Sequence, residues 1–178
     1  MTGTTSLEQR MADLEDRFAI RELVASFVFA VDDRNFGKVA DLFTAGGRFR
    51  YVNGSISLTG REAIVEHFEV RYAALSLTNH VSHDQLIEFI APGRARGLVS
   101  SHVEVCRNGR AMVTATRFTD QYEREETALG NVWRFADRAL SILYYLPVSD
   151  YAQLLGQPNR NRSGPEPGPA DFQEDPST

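Results

Sequence analysis

The chain carries a single cysteine, Cys106, so neither an intrachain disulfide nor a multi-cysteine metal site can form. It contains no apolar run of the ~18 residues that a membrane-spanning helix requires, no repeat of fixed period and no heptad array. Basic charge is also short: the net charge is -5, no dense Lys/Arg run offsets it locally, and Lys38 is the one lysine among 19 basic residues. Nothing in that balance attracts a phosphate backbone or an anionic lipid, so neither nucleic acid nor membrane is an expected partner. Gly-rich phosphate loops and a serine nucleophile elbow are missing, which argues against nucleotide enzymes and α/β-hydrolases. With no apolar stretch after the first residues, the expected location is the cytoplasm.

Proline is scarce before residue 156, after which five of the seven prolines occur together with Gly, Ser, Asn and Asp. This composition predicts a disordered tail over 156–178 and one domain over 1–155. At 42% hydrophobic residues, a domain of this size can bury a core large enough to enclose a pocket.

Ser6 and Gln9 offer a capping box, after which Leu7, Met11, Leu14, Phe18, Leu23, Phe27 and Val31 recur near helical period. This predicts a long first helix ending near Asp32. Asn35 can cap a short second helix that Gly46-Gly47 ends. Arg48 to Val52 and Ser55 to Leu58 read as a hairpin about a type I′ turn at Asn53-Gly54, and Thr59 with Glu62 caps a third helix. Four β-rich runs follow, about 79–90, 94–106, 110–124 and 131–146, punctuated at Pro92-Gly93, Asn108-Gly109 and 128–130. Three helices followed by a meander give an α+β class, a cone-shaped barrel with the helices packed on one face of a strongly curved, mainly antiparallel sheet.

This order, together with the phrases AVDDRNFGKVADLF, FRYVNG, TNHVSHDQLIEF and TRFTDQYERE…NVWRFADR, resembles the SnoaL-like branch of the nuclear transport factor 2-like superfamily over about residues 7–150. The pattern is nearest to that of scytalone dehydratase, bile-acid 7α-dehydratase and lindane dehydrochlorinase. The resemblance implies a ligand cavity and a cofactor-independent elimination or isomerisation centred on an Asp/His pair. Its register places the acid on Asp32, the base on His80, an assisting phenol on Tyr51 and an anion-stabilising guanidinium on Arg138. Phe27 stands where relatives carry a Tyr or Lys, and Val105 where scytalone dehydratase has a second His. The lining expected from this register is Phe27, Val28, Phe49, Phe68, Ser101, Val103, Val105, Thr114 and Phe118. Such a wall selects an apolar substrate, polycyclic or aromatic.

The residue chemistry agrees. An imidazole accepts a proton near neutral pH, and a carboxylate on its far nitrogen fixes the tautomer and stabilises the imidazolium that forms. A phenol or guanidinium can then meet charge developing on oxygen. No metal or cofactor is required; His80, His83 and Asp84 could suggest a metal site, but positions three apart on a strand face opposite ways. Isomerase and polyketide cyclase chemistry need the same groups, and a noncatalytic assembly subunit is a further alternative. The alternation of Leu98, Ser100, His102, Glu104 and Cys106 with inward Val99, Ser101, Val103 and Val105 gives a mixed outer face suited to a homodimer or higher homo-oligomer.

Overall fold

A computed structural model describes residues 6–128 and 130–172. Helix α1 runs Leu7–Asp32, with the Ser6 hydroxyl accepting the Gln9 N–H, and α2 runs Phe36–Asp41 behind an Asn35 cap on the Lys38 N–H. Strand β1 (Phe43–Tyr51), β2 (Ser57–Thr59) and α3 (Arg61–Tyr72) precede the meander β3 (Leu75–Ala91), β4 (Arg94–Arg107), β5 (Arg110–Thr127) and β6 (Gly130–Pro147). A 3₁₀ turn, Val148–Asp150, and α4, Tyr151–Leu154, follow. The fold class is therefore α+β, as expected, with one curved, unclosed sheet in the order β2-β1-β6-β5-β4-β3. Every neighbouring pair is antiparallel except β1 with β6. Among the described residues no helix is long and apolar enough to cross a membrane.

The core lies between the concave face of the sheet and the later half of α1. Phe27 is its hub, edge-on to Phe43, Phe68, Phe118 and Phe135 at centroid distances of 5.8–6.4 Å. Burial of such a ring contributes about 1.5–3 kcal/mol, and the edge-on contacts add to it. Asp16 ties α1 to the far strands by accepting the Trp133 Nε1–H at 2.7 Å and pairing with Arg124 at 3.0 Å. On β4, Val99, Ser101, Val103 and Val105 are buried and His102 and Glu104 exposed, the parity that the alternation predicts.

Several local expectations are corrected. Leu7, Met11, Leu14 and Phe18 are exposed, because α1 begins well before the sheet that its later residues Ile20 to Val31 cover. Gly46-Gly47 does not end α2; it lies inside β1, where the pairing with β6 shifts register. The Asn53-Gly54 turn is not type I′, since only Gly54 has positive φ; Asn53 instead accepts the Ser55 N–H and hydroxyl through its side chain. Gly60, at φ 89°, takes the cap position of α3, with no side-chain cap.

The stretch 156–172, which its composition predicted to be disordered, takes a defined path beside β6. Strand β1 pairs with β6 only as far as Leu140, leaving the backbone beyond it open on that side. The Tyr145 N–H donates to the Arg160 carbonyl, the Arg162 N–H donates to Tyr145, and Asp171 exchanges two 2.8 Å bonds with the Ile142 backbone. Polar residues that cannot build a core can still fill an open sheet edge, and composition does not report this. Residues 173–178, and Leu129 in the expected turn at 128–130, lie outside the described residues.

Candidate active site

Asp32 is the last residue of α1, and the chain turns immediately because Arg34 adopts φ 59°. The Arg34 guanidinium fastens that turn to β3. It donates to the Val31 carbonyl at 3.1 Å, the Thr78 hydroxyl at 2.6 Å and the Leu75 carbonyl at 3.2 Å, and it lies 4.7 Å from the centre of the Tyr72 ring. This brings Asp32 against His80, 48 residues away in sequence. One carboxylate oxygen is 2.6 Å from His80 Nδ1, and the other accepts the His80 backbone N–H at 2.8 Å.

Burial would raise the Asp32 carboxyl, but the hydrogen bonds from the His80 ring and backbone outweigh it and hold Asp32 below its usual value. An ionised Asp32 accepts only, so Nδ1 carries the shared proton, and in the neutral imidazole the lone pair then lies on Nε2. In that form the pair comprises an oriented base and the anion that would stabilise its protonated form.

His80 lines a cavity with about 80 Å³ open to the centre of a water-sized sphere, room for several waters. Asp32 stands behind it, outside the lining. Of the residues expected around the cavity, Phe27, Phe49, Tyr51, Phe68, Val103, Val105, Thr114 and Phe118 are there. Val28 and Ser101 are not; Ser101 is buried on β4 with its hydroxyl toward the His102 carbonyl. The wall also contains Tyr145, Thr116, His67 and Arg71, none of which the sequence reading singled out. Burial raises the Tyr51 phenol above its usual value, keeping it protonated and able to donate. Burial and the Arg71 cation hold His67 below its usual value, so its imidazole is neutral.

Arg138 is not at the cavity surface. It is wholly buried, 4.3 Å from the centre of the Phe27 ring, 4.0 Å from Phe118 and 4.4 Å from Phe135. Two of those rings, Phe27 and Phe118, line the cavity and stand between it and the guanidinium. Its counter-ion is Asp120, 3.8 Å away and also wholly buried rather than at a solvated strand end as its charged neighbours suggest. Burial pushes the Asp120 carboxyl up to about 6 despite the Arg138 charge, and Tyr122 donates to it at 2.9 Å. None of the three Arg138 nitrogens has a hydrogen-bond acceptor; the three ring faces supply the attraction. A direct contact between Arg138 and a ligand requires Phe27 or Phe118 to turn aside.

The remaining histidines lie on the other face of the sheet. His83 Nε2 is 2.7 Å from His102 Nδ1, and His102 Nε2 is 3.1 Å from the Tyr144 hydroxyl, so neither joins His80. Among the described residues no group of three or more His, Cys, Asp or Glu is placed to hold a metal ion.

Comparison with known proteins now has a geometry to refer to. The chain is 24% identical over 145 residues to γ-hexachlorocyclohexane dehydrochlorinase of Sphingobium indicum, covering 78% of this chain and 90% of that one. The structure of a hexachlorocyclohexane dehydrochlorinase from Novosphingobium barchaimii superposes with a TM-score of 0.72 at 20% identity, covering 79% and 94% of the two chains. A scytalone dehydratase-like protein from Novosphingobium aromaticivorans gives 0.68 at 18% identity, covering 76% and 89%. Likeness at this distance establishes a shared fold, while the named reactions are those of the relatives. The SnoaL-like domain family matches residues 12–139, a span that includes most of α1, the Asp32/His80 pair and the cavity residues from Phe27 to Phe118, and the chain belongs to that family.

Proposed function

We propose that the protein is a cofactor-independent lyase acting on a small ring compound, with His80 as base. The observation that carries this reading is the doubly bonded Asp32/His80 pair, with the imidazole exposed to an otherwise largely apolar cavity. His80 Nε2 takes a proton from carbon beside an activating group. The C–H electron pair becomes the new π bond, and the neighbouring substituent departs with its bonding pair. A departing hydroxyl leaves as water with the proton of the Tyr51 phenol, and the imidazolium proton returns to Tyr51 to close the cycle. Asp32 holds the reactive tautomer and stabilises the imidazolium. Arg138 adds positive charge from behind Phe27 and Phe118. Two relatives that are lyases by name support elimination over isomerisation or cyclisation.

The test is turnover of a panel containing γ-hexachlorocyclohexane and β-hydroxy ring ketones, followed by chloride release or by loss of water. His80→Ala and Asp32→Asn are each expected to lower the rate of the chemical step by about 10²–10⁴-fold, and the double variant little further. Retention of most of the wild-type rate in His80→Ala overturns the assignment. If the panel binds without reacting, the chain belongs instead with the noncatalytic subunits of its superfamily.

A further inference from the structure

The cavity adjoins a second recess lined by His67, Val70, Arg71, Ala74, Leu75 and Arg107. His67, Arg71 and Leu75 belong to both spaces. Arg71 comes from the last turn of α3 and Arg107 from the end of β4, so two elements far apart in sequence bring guanidinium groups to one opening. Among the described residues neither guanidinium forms an ion pair or a side-chain hydrogen bond. Among the described residues no Asp or Glu lines either space, although the chain as a whole carries a net charge of -5. Acids outnumber bases in the sequence, and Arg50, Arg94, Arg96, Arg124 and Arg134 all find carboxylates.

The influence of the two cations reaches inward. Both act on the buried Tyr51 phenol, with Arg71 the stronger, and Arg71 also acts on Tyr72 and His67. A concave, low-dielectric opening with charge of one sign concentrates counter-ions. A guanidinium binds a planar oxyanion through two parallel N–H donors, which a neutral ligand cannot use as well. The cavity beside His80 is small and walled largely by aromatic and aliphatic groups.

We propose that the substrate is a small ring compound bearing an oxyanion, a carboxylate or a phosphate monoester, whose ring enters the cavity beside His80 while its charged group stays in the recess on Arg71 and Arg107. The inference rests on the lyase reading for the ring's position. The binding of the charged group stands on the two arginines alone. It makes the ligand amphipathic, where the apolar wall by itself suggests an uncharged one. It also fixes the ligand's direction, with the reacting carbon beside His80 and the anion on the two arginines.

Titration calorimetry with benzoate, phenyl phosphate and the uncharged benzamide tests this without needing turnover. Wild-type protein is expected to bind at least one of the two anions about tenfold or more tightly than benzamide, with the advantage shrinking at high salt. The ratio of benzoate to phenyl phosphate tells which oxyanion is preferred. Arg71→Gln with Arg107→Gln should bring the three ligands to within about threefold of one another, whereas His80→Ala should keep the anion preference. Equal binding of benzamide and both anions, a preference that survives the double Gln variant, or binding of none of the three at millimolar concentration overturns the inference. The lyase reading fails independently, through a rate unaffected by His80→Ala.

Discussion

The Phe27 ring lines the cavity and also lies 4.3 Å from the Arg138 guanidinium, so together with Phe118 it screens a buried cation from the ligand space. Phe27→Ala should therefore open the cavity onto Arg138. Removing the hub of four ring contacts is expected to cost about 3–5 kcal/mol, measured by denaturant unfolding. In the Phe27→Ala background, Arg138→Met should change ligand affinity and rate strongly, while in the wild-type background, where the charge acts only through the rings, its effect on the rate should be several-fold smaller. An Arg138→Met effect on the rate that is equally large in both backgrounds would show that the guanidinium reaches the ligand without Phe27 moving.

The Asp32 carboxyl has an ordinary value of 3.8 and lies below it in the folded protein. Because the folded form releases its proton more readily than the unfolded form, Asp32 stabilises the fold above about pH 4, and this contribution is lost as pH falls through the depressed value. Wild type should be more stable than Asp32→Asn at neutral pH, with the two converging in acid. Thermal unfolding from pH 7 down to pH 3 measures the gap; a gap that widens toward acid contradicts the sign.

A Cβ on Gly97 would lie 2.7 Å from the Tyr122 ring and hydroxyl and 3.1 Å from the Leu86 carbonyl. The glycine is needed for space, since the backbone of β4 passes directly against Tyr122. Gly97→Ala should displace Tyr122 from its bond to Asp120 and cost about 1–3 kcal/mol in urea unfolding. Stability within about 0.5 kcal/mol of wild type would mean that the strand can move aside at no cost.

We expect association of two copies through the outer face of the sheet, where His102 and Glu104 are exposed beside the apolar Leu77 and Val81 of β3. Sedimentation velocity at micromolar concentration should find a dimer or larger. A monomer throughout that range removes this surface from consideration.

The parts legible in the sequence are those set by local periodicity. The span of α1, the four long strands and the outward parity of His102 follow from residue pattern alone. The meeting of Asp32 with His80 was legible only through the register of two short phrases, since no local rule links residues 48 positions apart. Arg34 escaped notice because its role depends on a left-handed turn that few arginines adopt. His67 and Arg71 follow each other at one helical turn, each one position before the buried Phe68 and Tyr72. Polar side chains bordering a buried stripe were a signal that they face a cavity, but the sheet's curvature decided it. The family resemblance pointed to Arg138, and the fold puts it behind a Phe cage, because register along a strand fixes the face on which a residue lies and not what stands in front of it.

Strand β6 carries a consequence for the order of assembly. It is the last strand in the chain, yet it sits inside the sheet, with β5 on one side and β1, some 90 residues earlier, on the other. During synthesis α1 to β5 emerge first, and the His80 and Asp32 side chains can already meet. The cavity cannot close, because Leu140, Ile142 and Tyr145 are still missing from its wall. Joining β1 to β6 closes the longest loop in the sheet, a contact of the kind that slows folding. Ligand capture therefore reports the end of folding rather than its beginning. A chain stalled before β6 would expose the pairing edges of β1 and β5 together, the moment in its life when it is most prone to aggregate.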